Sequence, residues 1–191
     1  MLKIVNAPNS VLSQKAKRIA KVDKAVSRLI AGMTEAMEAA TDPIGVGLAA
    51  PQVGKSLRLF IAKPTQKSKI LVFINPKIVK KENKLNKAAH EPSKRETVSD
   101  TEKHKKLEGC LSLLNIWGEV ERFDSIWLSF LDETGKKHNR RFDGFMATII
   151  QHEVDHLDGI LFPKRVLEQK GTLYKSEKDE EGHDVFEELK I

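Results

Sequence analysis

The chain has 191 residues, of which 40% are hydrophobic and 31% charged, and this composition is typical of one globular domain with a sizeable core. No apolar run is long enough to span a membrane, and residues 1–10 lack the apolar stretch of a signal peptide, which argues against a helical membrane protein or a secreted precursor. The single cysteine, Cys110, excludes an intrachain disulfide and fits a reducing compartment, so we expect a cytoplasmic protein.

The first half of the chain predicts helices followed by strands. Residues 12–16 predict a short helix, and residues 24–40 predict a longer one. In the longer segment apolar residues recur on one face, and Asp23 can cap the amino end. Residues 58–62 and 70–74 predict strands, the second of them closed by the pair Asn-Pro at 75–76.

The second half predicts a run of strands that ends in a helix. The strands are expected at residues 116–122, 125–131 and 137–142, with a turn at 132–135 between the last two. The helix comes last, with Asp143 as candidate N-cap and Gly159 as candidate stop. This order indicates an α+β fold, in which antiparallel or mixed strands pack around a central helix.

We place one domain at residues 1–165 and a charged tail at residues 166–191. Within the tail, residues 185–189 predict a short amphipathic helix or a frayed end, and no function is assigned to it.

A glycine-rich segment, GVGLAAPQVG at residues 45–54, precedes the first predicted strand. One interpretation is a structural turn into that strand. The other is a closely packed backbone wall beside a ligand, to which Gln52 offers the only polar side chain. The segment lacks the Gly-Lys-Ser/Thr of a phosphate-binding loop.

Residues 77–106 form a long polar stretch with ten Lys or Arg and five Asp or Glu, and its excess of five positive charges supplies most of the net charge of +6. Such a segment buries little, which favours an exposed insertion at about residues 80–106. The alternative is a transient, salt-dependent contact with the RNA of the ribosome. We expect neither DNA nor a membrane as a partner.

Cys110 lies in the segment EGCLS at residues 108–112. A lone cysteine is most often a small buried hydrophobic residue. The alternative is a thiolate ligand, because a nearby divalent metal deprotonates a thiol, and Gly109 lets the backbone approach such a site closely.

The last predicted helix carries HEVDH at residues 152–156. His152 and His156 share one helical face and can bind one metal ion, and Glu153 can reach a water on that metal. An exposed polar helix can carry the same pattern by chance. The apolar residues on both sides favour a buried cluster, whose polar groups need partners, so we favour the metal site.

These three segments, in this order, resemble the three signature motifs of the peptide deformylase family, over roughly residues 5–165. The resemblance implies a metal-dependent hydrolase that removes the N-formyl group from the N-terminal formylmethionine of nascent polypeptides and releases formate. It also implies one divalent metal ion, Fe²⁺ in the cell, with Zn²⁺, Ni²⁺ or Co²⁺ as possible substitutes.

The resemblance further assigns roles to single residues. Three would bind the metal: Cys110, His152 and His156. Three would serve catalysis, the first as general acid and base and the others as oxyanion donors: Glu153, Gln52 and the backbone N–H of Leu111. Five would contact the substrate: Val46, Gly47, Gly109, Phe145 and Ile149. An ion pair between Glu108 and Arg122 is also expected.

The chain departs from the family pattern after the cysteine. The family often has a proline and an arginine near the substrate, and Leu114 and Trp117 stand in their places. Trp117 can pack against a substrate side chain or simply cover the sheet, so the peptide preference beyond formylmethionine stays open.

Two other functions would use some of the same metal-binding and catalytic residues. An endopeptidase of the zincin type shares the HExxH chemistry but requires neither of the other two motifs. An inactive relative that binds the ribosome would be expected to have lost a ligand or the base, whereas Cys110, His152, Glu153 and His156 are all present.

Overall fold

The computed structural model describes residues 2–87 and 107–190 and has the α+β architecture that the sequence predicts. The helices are α1 (Lys24–Glu38), α2 (Gly144–Leu157) and α3 (Phe162–Glu168). The strands are β1 (Gly47–Ala49), β2 (Leu59–Ala62), β3 (Leu71–Lys87), β4 (Glu108–Cys110), β5 (Leu113–Gly118), β6 (Glu121–Leu131), β7 (Lys137–Asp143), β8 (Leu173–Lys178) and β9 (Asp184–Glu188). Short 3₁₀ turns cover Ser10–Ser13 and Ala50–Val53.

The described strands form two antiparallel sheets, one in the order β1-β2-β3-β6-β7 and the other in the order β4-β5-β8-β9. Strand β2 shows how the first sheet is covered on both faces. Phe60 packs in the cluster that contains α2, and the next residue, Ile61, packs in the cluster that contains α1. Successive side chains of a strand point to opposite faces, so the apolar run of β2 fits a central strand.

Helix α2 lies in the core, as predicted, and nine of its fourteen residues are buried. Asp143 occupies the N-cap position but does not cap the helix, because its carboxylate accepts from the Ser125 hydroxyl at 2.6 Å and pairs with Arg141 at 2.9 Å. Gly159 follows the helix with a φ of 73°, a left-handed conformation that ends helices.

Asn75 and Pro76 do not end the strand, contrary to the prediction. Asn75 adopts a φ of 52°, and its side chain bonds both the N–H and the carbonyl of Ile19, at 2.9 and 2.8 Å. The irregularity shifts the pairing between Ile74 and Lys77, and β3 then continues beside β6 as far as Lys87. A bulge therefore absorbs the proline, whose missing N–H would otherwise break the ladder.

The same finding changes the prediction of an exposed loop at residues 77–106. Residues 77–87 belong to β3 and pair with β6, so this part is strand. The rest of the predicted insertion, residues 88–106, lies outside the described residues.

Two N-terminal predictions differ in extent from the structure. The helix predicted at residues 24–40 is present as Lys24–Glu38, and Asp23 caps it by accepting from the N–H groups of Ala25 and Val26. The helix predicted at residues 12–16 is instead the 3₁₀ turn Ser10–Ser13. Ala16 lies outside it because its N–H donates to the carbonyl of Leu157 at 2.9 Å.

The strand predicted at residues 116–122 is divided between the two sheets. β5 ends at Gly118 and β6 begins at Glu121, and the chain passes from one sheet to the other between them. A Cβ at Gly118 would approach the Val166 side chain to 2.6 Å, so this crossing requires glycine.

The chain does not end its fold at α2, which corrects another prediction. Helix α3 and the hairpin of β8 and β9 follow, and β8 pairs with β5. The helix predicted at residues 185–189 is strand β9, because Val185 and Phe186 suit a strand and the Asp179 carboxylate builds a turn by accepting from Glu181 and His183 N–H groups. Among the described residues no helix is both long and apolar enough to cross a membrane.

Candidate metal centre and substrate cleft

The three sequence motifs meet at one cleft between β1, β4 and α2. Its lining includes all but one of the residues predicted to form the site: Val46, Gly47, Gln52, Gly109, Cys110, Leu111, Phe145, Ile149, His152 and Glu153. The remaining residue, His156, lies one helical turn beyond His152 and is 1% exposed. The three motifs, which are far apart in the sequence, thus come together at one place in the structure.

Three donor atoms converge at the base of this cleft. Cys110 Sγ lies 3.2 Å from His156 Nε2, and that nitrogen lies 3.1 Å from His152 Nε2. The donors of all three residues lie within 4.8 Å of one another. Ligands at zinc-like bond lengths occupy tetrahedral corners roughly 3.3–3.6 Å apart, so the donor spacing fits one metal ion. A thiolate with two imidazoles suits Zn²⁺ or Fe²⁺ by ligand type.

Glu108 orients the first histidine. Its Oε1 lies 2.6 Å from His152 Nδ1, and since a carboxylate only accepts, Nδ1 carries the hydrogen and leaves Nε2 for a metal. Arg122 donates to both carboxylate oxygens of Glu108, at 2.7 and 3.1 Å, which confirms the expected ion pair. Burial opposes the charged form, but Arg122 and His152 outweigh it and hold the pKa of Glu108 well below its usual range.

The ionic network continues to α3. Arg122 Nη1 donates to Asp155 at 2.6 Å, and Arg165 Nη2 donates to the same carboxylate at 2.7 Å. Burial of Asp155 favours its neutral form, but the hydrogen bond from Arg165 and the charge of Arg122 keep its pKa below the usual range. Sequence reasoning missed this role, although an acid within the apolar helix already required a cationic partner.

Glu153 has the environment of a proton carrier. It is 3% exposed, and its Oε2 has no hydrogen-bond partner among the described residues. Burial raises its pKa to about 7, only partly offset by the nearby His152. Gly47 leaves room for it, because a Cβ at that position would overlap Glu153 Oε1. A carboxylate with this pKa can both accept and return a proton near neutral pH.

Gln52 faces the donor cluster with its amide nitrogen. Its Oε1 accepts from the Ala49 N–H at 2.8 Å, which fixes the orientation of the amide. Nε2 then points to the site, 3.3 Å from Ser112 Oγ and 3.5 Å from Cys110 Sγ. Leu111 follows Cys110 at the same cleft, and its side chain packs in the core cluster that contains α1. The fully buried Ser112 was missed by sequence reasoning, although it lies inside the EGCLS motif.

The cleft walls combine α2 with the second sheet. Ile149 stands close to Gly47, where an added Cβ would lie 3.0 Å from its Cγ2. Trp117 lies over Gly109, where an added Cβ would lie 2.7 Å from the indole. Further lining residues that sequence reasoning did not identify are Pro43, Ile44, Leu107 and Thr148.

Comparisons with known proteins agree on one family. Residues 1–171 match the family model described as Polypeptide deformylase. A peptide deformylase of Symbiobacterium thermophilum is 38% identical to this chain over 182 residues, which is 95% of this chain and 74% of that protein. One from Dehalococcoides mccartyi is 35% identical over 94% of this chain and 93% of that protein. A crystal structure of a peptide deformylase from Synechococcus elongatus in complex with actinonin superposes with a TM-score of 0.72 at 34% identity, over 86% of this chain and 78% of that one.

Proposed function

Since the chain belongs to the peptide deformylase family, hydrolases that remove the N-formyl group from nascent peptides, we propose that Cys110, His152 and His156 bind its metal ion and that Glu153 carries the proton. The observation that carries this proposal is the convergence of one thiol and two imidazoles beside a buried carboxylate oxygen that lacks a partner among the described residues.

The chemistry follows from the residues around the cleft. A divalent metal ion, when bound, supplies Lewis acidity that activates water and polarises a carbonyl. Glu153 accepts a proton from the attacking water as the water oxygen bonds to the formyl carbon. It then delivers this proton to the departing amine nitrogen as the C–N bond breaks. The products are formate and a peptide with a free N-terminal methionine.

Negative charge develops on the formyl oxygen during this attack. We assign its stabilisation to Gln52 Nε2, which lies 3.5 Å from Cys110 Sγ, and to the backbone N–H of Leu111, the residue after the cysteine. The support for Gln52 is its orientation, which the Ala49 N–H fixes before substrate arrives. A preorganised donor of this kind stabilises the transition state without reorganising.

The substrate is proposed to lie along the cleft as an extended chain. Val46, Gly47 and Gly109 contribute backbone beside the donor cluster, and Val46, Phe145 and Ile149 offer apolar surface for the methionine side chain. Val46 and Phe145 are half-buried and packed against the buried cluster around α2, which supports a rigid apolar pocket.

Three finer assignments are also proposals. The metal in the cell is Fe²⁺, with Zn²⁺, Ni²⁺ or Co²⁺ as substitutes, and the protein acts in the cytoplasm.

Contact with the ribosome through the basic stretch at residues 77–106 is supported by its excess of five positive charges. The double variant Lys77→Glu and Lys80→Glu reverses two exposed charges of this stretch and leaves the backbone pairing of β3 with β6 in place, and it should weaken ribosome binding most at low salt. Unchanged binding at every salt concentration would remove this contact.

The experiment that tests the activity measures formate release from formyl-Met-Ala-Ser. The wild-type protein is purified without oxygen and loaded with Fe²⁺, and a portion stripped by a chelator is the matched control. We expect turnover that depends on metal and no cleavage of unformylated casein. Full metal occupancy without formate release would contradict the proposal, and cleavage of casein would favour an endopeptidase.

A further inference from the structure

The C-terminal hairpin contacts Trp117 of the cleft lining although the hairpin lies beyond the residues 1–171 that match the family. Strand β8 pairs with β5, opposite Trp117, and β9 pairs with β8. Strand β5 also pairs with β4, which carries the cysteine motif. The second sheet therefore runs without interruption from the donor cluster to the hairpin.

The strand register places four residues on one face of this sheet, in a diagonal row that shifts by two residues between β5 and β8. Gly109 pairs directly with Trp117, which pairs with Tyr174. Ser176 lies two residues after Tyr174 and thus on the same face, and it pairs directly with Phe186. The row Gly109–Trp117–Ser176–Phe186 connects the cleft to the outer strand.

Side-chain contacts along this row fix the indole. The Trp117 Nε1–H donates to Ser176 Oγ at 3.0 Å, and Ser176 is only 7% exposed. The Phe186 ring meets the indole edge to face, with centroids 5.9 Å apart and planes at 82°. The opposite end of the indole fills the space above Gly109. A hydrogen bond and a ring contact from the hairpin thus determine where Trp117 stands.

Most side chains that line the cleft outside the donor cluster are apolar. Pro43, Ile44 and Leu107 line the same cleft as the indole, and Ile44 is 51% exposed although it is a large hydrophobic residue. The charged residues among the described lining are Glu108, His152 and Glu153, which belong to the donor cluster and its surroundings. A peptide that leaves the cluster therefore meets the indole and aliphatic side chains.

We propose that the β8–β9 hairpin holds Trp117 as a specificity wall, and that this wall favours a large apolar side chain on the residues that follow formylmethionine. This inference rests on the proposed deformylase function. Trp117 is the residue that contacts the substrate, and Ser176 and Phe186 are positioning residues that act through it. Aromatic faces bind apolar and aromatic groups through area and ring geometry, whereas glycine offers neither.

The test compares kcat/KM for formyl-Met-Gly-Gly, formyl-Met-Phe-Gly and formyl-Met-Gly-Phe. In the wild type we expect one phenylalanine peptide to exceed the glycine peptide by about threefold to tenfold, the range for one aromatic contact. The ratio of kcat/KM for the phenylalanine peptide to kcat/KM for the glycine peptide should fall towards one, mainly through KM, in each of three variants: Trp117→Ala, Ser176→Ala and Phe186→Ala. Ser176→Thr, which keeps the hydroxyl acceptor, should retain the ratio.

The matched control is Val185→Ala in the same strand as Phe186. Val185 is 52% exposed, and strand alternation points it away from the row. It should leave the ratio unchanged. A second readout uses Trp127→Phe, which leaves Trp117 as the only tryptophan of the chain. In that background acrylamide quenching of Trp117 should rise with Ser176→Ala and Phe186→Ala but not with Val185→Ala.

The outcomes distinguish a failure of this inference from a failure of the proposed deformylase function. If the metal-loaded wild type hydrolyses none of the three peptides, the proposed function fails. If it hydrolyses all three at equal kcat/KM, the deformylase stands and the specificity wall is overturned. A wild-type preference that survives in both hairpin variants, whether or not quenching rises, overturns the role of the hairpin.

Discussion

The two walls of the cleft are built from different interactions. On the α2 wall a network of hydrogen bonds and ion pairs joins His152 and Asp155 of α2 to Glu108 of β4 and Arg122 of β6. These four side chains are 7–11% exposed. On the sheet wall a neutral hydrogen bond and one ring contact hold Trp117, and the contacting Phe186 is 43% exposed. Removing one partner of a buried charge pair leaves a buried charge without a partner and costs several kcal/mol, whereas losing one neutral hydrogen bond or ring contact costs about 1 kcal/mol.

This difference suggests that the two walls have different roles, one in metal binding and proton transfer and the other in peptide discrimination. Metal binding and proton transfer need donor atoms fixed to within fractions of an ångström, and buried charges that satisfy one another provide this. Discrimination among peptides needs only small differences in apolar contact, which half-buried rings provide. Changes to the buried polar groups of the α2 wall should therefore abolish folding or turnover, whereas changes to the apolar lining of either wall should alter preference.

Arg122→Met should have the largest effect on the buried network of the α2 wall. The substitution leaves the Glu108 and Asp155 carboxylates buried without their shared partner, and we expect a loss of about 3–5 kcal/mol in the free energy of unfolding. Denaturant unfolding of the metal-free protein measures it. Arg141→Met is the control, because Arg141 is 45% exposed and should cost less than about 1 kcal/mol. Equal losses in the two variants would contradict the account.

A second prediction concerns Gln52→Glu. The glutamate keeps an acceptor for the Ala49 N–H but removes the amide donor that faces the cleft. We expect kcat to fall by about a hundredfold or more, since this is the usual cost of one oxyanion donor. Steady-state formate release measures it, and a kcat within threefold of wild type would exclude Gln52 from this role.

Acid should weaken the α2 wall before the sheet wall. The folded pKa values of Glu108 and Asp155 lie below their ordinary values of about 4.3 and 3.9. The two carboxylates therefore stabilise the folded state fully above about pH 5, and this contribution is lost as pH falls from about 5 towards the lower folded pKa values. Glu153 acts oppositely, since its pKa of about 7 favours the protonated folded state and costs stability as pH rises towards neutrality.

Unfolding of the metal-free protein at a series of pH values from 7 to 3 tests this. The free energy of unfolding should fall with acid below about pH 5, by on the order of 1.4 kcal/mol per pH unit for each carboxylate that takes up a proton on unfolding. The dependence should be shallower in Glu108→Gln. An identical slope in the variant would show that Glu108 does not carry this stability.

The smallest expected effect is a change of substrate preference within the α2 wall. Ile149→Trp enlarges a side chain that is 4% exposed and close to Gly47, so it should fill the methionine pocket. We expect KM for formyl-Met-Ala-Ser to rise about tenfold while kcat changes little, and KM for a formyl-Ala peptide to rise less. An unchanged KM for both peptides would remove Ile149 from the pocket.

The α2 wall was largely predictable from the sequence because its signals are local. The i, i+4 spacing of His152 and His156 and their apolar surroundings predict a buried site before any tertiary contact is known. The family resemblance then supplied Cys110, Gln52 and the Glu108–Arg122 pair. What stayed hidden was the partner of Asp155, because Arg165 approaches from a separate helix.

The sheet wall was poorly predicted because its signals are non-local. Val185 and Phe186 lie among acidic residues, so the segment resembles a frayed or helical end until β8 pairs with β5. The bulge at Asn75 shows the same limit. Asn-Pro ordinarily closes a strand, but a contact with Ile19, 56 positions away in sequence, holds the irregularity and lets β3 continue.

The most direct test of the division between the walls is formate release by Glu153→Ala, with bound metal counted in the same sample. Glu153 is not among the proposed ligands, so we predict one metal ion per chain, as in wild type, and a kcat lower by about a hundredfold to ten-thousandfold. A variant that keeps its metal and stays within tenfold of wild-type kcat would contradict the account, because proton transfer would then not depend on the α2 wall.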